Sequence, residues 1–100
     1  MENRWSMRKP MQLDVDLYYR DWRVSGCKTR DLGLGGVFVE MTDPAIPSHS
    51  TVELVLKYDH QGAAQSHRFR GNVVHRDRDG LGVAFRDFDV ADVRTLQQML

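Results

Sequence analysis

Leu13, Val15, Leu17 and Tyr19 alternate with Asp14, Asp16 and Tyr18. A repeat of two sends successive side chains to opposite faces, which predicts a strand over 12–19 with one buried side. "RDW" then makes a tight turn. "RVSGCKTRDL" reads as a second, more polar strand, loosened at Gly26. "GLGG" breaks the pattern and "VFVEM" resumes it as a third strand. Pro44 and Pro47 mark 43–50 as a loop, since proline lacks the N–H a ladder needs. "TVELVLKY" alternates again, with Val52, Leu54 and Leu56 on one face. "DHQGAAQ" reads as a hairpin connection. "SHRFRGNVVHR" predicts a long strand with a bend or bulge at Gly71, "DRDG" a turn, and "LGVAF" the last strand.

The period then changes. Asp89 stands where an N-cap would, and Val93, Leu96, Met99 and Leu100 follow at helical spacing. The chain is therefore expected to be all-β with a short C-terminal helix. Six short strands in hairpin order favour a six-stranded antiparallel barrel, which removes exposed edges. The helix would plug or flank one end. One hundred residues bound this to one domain: an arm over 1–10 and a barrel with its helix over 11–100.

Composition narrows the function. Formal net charge is zero, whereas a domain holding duplex DNA through general phosphate contacts is clearly basic. An anionic partner would be small and held by a local cluster. A single cysteine, Cys27, excludes an internal disulfide and a multi-cysteine zinc site, and suits a reducing compartment. No apolar run is long enough to span a membrane, and "MENRWSMRK" lacks the core of a secretory signal. A cytoplasmic protein without membrane insertion is expected.

Two stretches carry candidate chemistry. "RWSMR" at 4–8 sets Arg4 and Arg8 four apart, on one face of either a helix or a strand. Such a pair is either a solvated basic tail or an anion clamp. Pro10 extends the chain just behind it. A guanidinium fork takes phosphate oxygens two at a time, stacks on a base, or bonds guanine O6 and N7. "RDLGLGG" at 30–36 sets three glycines in four positions, which permits tight turning with positive φ and close approach of a ligand to backbone N–H groups. Asp31 offers two acceptor oxygens, which match the paired N1–H and N2–H donors of guanine. The stretch lacks the GK[ST] ending of a phosphate loop and no helix follows it, so an NTPase is excluded.

In this order the two stretches resemble the PilZ domain family, whose signature is RxxxR in an N-terminal arm followed by [D/N]xSxxG at a strand junction. "RKPMQLDVDL", "TRDLGLGGVFVE" and "GNVVHRDRDGLGVAF" are similar to its first strand, second motif and final hairpin. The resemblance covers nearly the whole chain. It implies a six-stranded PilZ-type barrel that binds cyclic di-GMP. Arg4 and Arg8 would hold phosphate and the guanine O6/N7 edge, Asp31 the donor edge, and Gly36 the tight turn. Trp5 would pack on the barrel rim or lie against the ligand. The family's serine falls at Gly33, which removes one hydroxyl contact worth about 0.5–1.5 kcal/mol, or roughly two- to tenfold in affinity. Asn3 stands where many members that bind tightly carry a further arginine, which favours one ligand molecule over a stacked pair.

The function expected is a receptor or adaptor whose arm changes conformation on binding cyclic di-GMP and signals to a partner protein of unknown identity. The alternative is a PilZ-fold interaction module, for instance in pilus or motility machinery, that binds no nucleotide. General single-strand or RNA binding is disfavoured by the neutral charge. A monomer or weak dimer is expected. His49, His60, His67 and His75 show no metal spacing, Cys27 has no catalytic partner, and Asp77 and Asp79 suit a turn. No nucleophile, base and orienting group assemble, so neither an enzyme nor a resident cofactor is expected.

Overall fold

The computed structural model describes residues 8–42 and 44–100. Seven strands and one helix follow in order: β1 (Arg8–Pro10), β2 (Asp14–Tyr19), β3 (Trp22–Gly33), β4 (Gly36–Glu40), β5 (Thr51–His60), β6 (Ala63–Asp77), β7 (Gly80–Arg86) and α1 (Val90–Met99). All pairings are antiparallel, in the order β3-β2-β5-β6-β7-β4, and β4 pairs back onto β3. Those six strands close a barrel. β1 adds to β3 on the side that β2 occupies further along.

The alternation read along the chain is the packing. Val15 and Leu17 of β2, Val52, Leu54 and Leu56 of β5, and Leu81 and Val83 of β7 are all buried. Ile46 from the proline loop and Leu96 from α1 complete the core. Burying a leucine of this kind contributes roughly 1.5–3 kcal/mol, and Met99 and Leu100 pack beside Leu96 to hold the helix to the barrel. Asp89 caps α1 reciprocally: its carboxylate accepts from the Asp92 N–H, and the Asp92 carboxylate accepts from the Asp89 N–H.

Three local expectations change. The β5–β6 connection is only Gln61 and Gly62, both left-handed (φ 53° and 80°), and the strands run on to pair His60 with Ala63. A two-residue turn of this hand matches the strand twist. Ala63, Ala64 and Gln65 belong to β6, although exposed positions on both faces leave no alternation to read. The β6 bulge falls at Val74 rather than Gly71. Gly71 is required for another reason, since a Cβ there would strike the Val83 side chain and the Ala84 carbonyl.

Candidate functional site

β1 brings Arg8 to the second motif. Its register sets Arg8 opposite Gly33, Lys9 opposite Leu32 and Pro10 opposite Asp31. From that position Arg8 reaches diagonally along the ladder, and its Nη1 donates to Asp31 Oδ1 at 3.1 Å. The two side chains keep 35% and 28% of their accessible surface. The pair is formed, yet open to water and to a ligand. Arg4 and Trp5 lie outside the described residues.

Two features of β3 create this meeting. The first is Thr29, fully buried. Its Oγ1 accepts from the Leu13 N–H at 2.9 Å and donates to the Met11 carbonyl at 2.6 Å. Backbone bonds Met11 N to Arg30 O and Thr29 N to Leu13 O flank it. The segment between β1 and β2 is thus stitched to β3 and cannot swing away without exposing buried polar groups. The second is a bulge at Arg30: Thr29 opposes Val39, but Asp31 opposes Phe38. One extra residue reverses the alternation beyond it. Thr29 and Leu32, three apart, both point inward, and Asp31 turns out beside Arg8. Arg30 folds over the Phe38 ring, 4.2 Å from its centroid, and donates to Glu40 at 3.3 Å.

The glycines of "GLGG" act differently from the expectation. The positive-φ glycines are Gly26, Gly62 and Gly80, so neither Gly33 nor Gly36 supplies a left-handed turn. The turn is made by Leu34 and Gly35, and the Gly35 carbonyl is held by the Phe85 N–H at 3.0 Å. Gly36 begins β4, and a Cβ there would collide with the Val83 carbonyl of β7. Its role is close approach of two strands. Gly33 is buried directly across from Arg8.

The structure therefore brings Arg8, Asp31 and Gly33 together, while Gly36 packs against β7. Thr29 and Lys9 support the site without belonging to either motif. Lys9 points away from Arg8 and donates to the Leu100 carbonyl at 2.7 Å, tying β1 to the carbonyl end of α1, where a cation is favoured. A buried threonine inside the inward set of β3 was the available signal for the first; nothing local in the sequence marks the second. His75 is a surface residue paired with Asp77, and Asp77 closes its turn by accepting from the Asp79 and Gly80 N–H groups. Cys27 is a buried strand residue whose thiol is pushed up by burial and by the Asp16 carboxylate. Among the described residues no helix is long and apolar enough to cross a membrane, and no cluster of three or more metal-binding side chains occurs.

The PilZ domain description matches residues 2–100, and the chain belongs to that family. Its fold is similar to that of the Bacillus subtilis inhibitor of motility (MotI/DgrA), with a TM-score of 0.83 at 15% identity over 99% of this chain and 50% of that one. The chain thus spans half the length of that protein. It is also similar to the PilZ domain of CeSA from a cellulose-synthesizing bacterium, with a TM-score of 0.71 at 17% identity over 94% of both chains. No curated protein matches it by sequence.

Proposed function

We propose that this domain is a receptor for cyclic di-GMP. The observation that carries the reading is the partly exposed Arg8–Asp31 pair, formed by the two halves of the family signature across β1 and β3. Each member has a better partner in a guanine nucleotide than in the other. A phosphate offers Arg8 two oxygens for its fork, where Asp31 supplies one. Asp31, released, accepts the adjacent N1–H and N2–H of guanine. Arg4 would add a second cation from the arm. Exchange of one ion pair for a ligand held from both sides reorders the arm, and a partner protein reads the changed surface.

A chemical-shift titration of the full chain with cyclic di-GMP tests this. Saturable shifts at the Arg8, Asp31, Gly33 and Leu34 amides are expected; an unchanged spectrum at high ligand contradicts it. The second reading, an interaction module without nucleotide, is favoured by Gly33, which has no hydroxyl for a ligand. Under the receptor reading Gly33→Ser tightens binding by about two- to tenfold. Under the second reading neither protein titrates.

A further inference from the structure

β3 is 12 residues long, but β4 pairs with it only from Lys28 to Leu32. At 22–27 β2 holds one side, and among the described residues no strand holds the other. An open edge offers unpaired backbone donors and acceptors to a further strand. Beside it lies a cleft of about 730 Å³ lined by Val24, Cys27 and Met41 and by charged side chains that include Arg30, Arg78 and Asp79. At the start of the same edge stands Trp22, 57% exposed. A protruding indole and a hollow thus occur on one strand edge, with Trp22 five residues before Cys27.

Their geometry is self-complementary. Trp22 opposes Tyr19 and Cys27 opposes Val15, so both side chains lie on the inner face of the β2–β3 ladder. If β3 pairs antiparallel with another β3 about an axis at Val24, with each Ser25–Gly26 bulge opposite Arg23 of the other copy, Trp22 of one copy falls opposite Cys27 of the other, on that shared face and beside its cleft. Charge agrees. Arg20 and Asp21 form the hairpin tip, and Arg78 and Asp79 line the cleft; all four are exposed. Among the described residues none of the four belongs to an ion pair. The tip's anion and cation match this cation and anion of the cleft. Zero net charge adds no long-range repulsion between copies.

We propose that this edge joins two copies of the chain in a two-fold dimer. Each Trp22 enters the other's cleft, and Asp21 and Arg20 of each tip meet Arg78 and Asp79 of the other. A two-fold arrangement uses every one of these features twice and leaves none over. A buried tryptophan is the residue type that dominates such contacts. β4 blocks the ladder beyond Cys27, and the Ser25–Gly26 bulge, where two residues oppose Asp16, bends the edge. Both limit the ladder to a few bonds and favour a closed pair over open stacking. The cleft does not include Arg8 or Asp31, although Arg30, the bulge residue before Asp31, lines it.

Sedimentation equilibrium of the full chain tests the proposal. A monomer–dimer equilibrium with a Kd of about 100 µM is expected for so short an edge. Trp22→Ser and Arg78→Glu should each raise that Kd by at least about tenfold. The double variant Asp21→Arg/Arg78→Glu should restore it, a rescue that a merely unstable variant cannot show. A monomer at about 1 mM, a dimer indifferent to both single changes, or a dimer that the charge swap fails to restore overturns the proposal.

Discussion

Two arginine–aspartate pairs border β3, and their difference separates scaffold from site. Asp16 keeps 6% of its side-chain surface and takes both Arg23 at 3.0 Å and Lys57 at 3.3 Å. It sits opposite the Ser25–Gly26 bulge, and the Arg23 hydrogen bond, working against burial, holds its carboxyl below the ordinary 3.8 of an aspartate. Asp31 keeps 28% of its surface and takes Arg8. The chemistry is the same in both. Asp16 is enclosed and supplied with two cations, so a ligand has nothing to gain there. Asp31 and Arg8 face solvent, where an ion pair is worth at most about 1 kcal/mol and is readily exchanged. Burial of the aspartate, rather than residue type, commits one pair to stability and leaves the other available for the proposed exchange.

The largest loss of stability is expected at Gly36, the first residue of β4. Gly36→Ala drives a methyl group into the Val83 carbonyl, and urea denaturation should show a loss of about 3 kcal/mol. Such a result makes this glycine a part of the scaffold, although it lies within the binding signature. Thr29→Val removes the hydroxyl that serves Leu13 N and Met11 O, and should cost about 2 kcal/mol. Hydrogen exchange should then show β1 losing protection before the barrel does.

Asp16→Ala should cost about 1–2 kcal/mol, because Arg23 and Lys57 are half-exposed and return to water. The change should also flatten the acid limb of stability. For Asp92, burial pushes the carboxyl up, but bonds from His67 and the Asp89 N–H outweigh it and hold the group low. Carboxyls that titrate lower in the folded state than in the unfolded chain stabilise the fold fully above the unfolded value of 3.8. That contribution drains away as pH falls from about 5 toward 2. Thermal melts across this window should steepen for the parent chain and be shallower for Asp16→Ala.

The legible parts of the fold were those with one wet and one dry face. β2 and the stretch of β5 that pairs with it show a clean period of two, and α1 carries both its cap and its spacing in the sequence. The far end of the β5–β6 ribbon was not legible, since 63–65 are exposed on both faces and leave no pattern. Nor was the burial of Asp16, which alternation places on the outside. That burial comes from neighbours supplied by β3 and β5, distant in sequence. At the site, Arg8 and Asp31 were legible as residue types. Their meeting depends on the Arg30 bulge and on the Thr29 stitch, which are properties of register, and register is set by pairing across strands.

Receptor function requires that the open pair be the exchangeable one. Calorimetric titration of cyclic di-GMP into the parent chain, Arg8→Ala and Arg23→Ala measures this directly. The parent and Arg23→Ala should bind with affinities within about threefold of each other, while Arg8→Ala should lose about 10- to 100-fold, the worth of a hydrogen bond to a charged group. No heat from the parent chain, or equal binding by Arg8→Ala, would contradict the account.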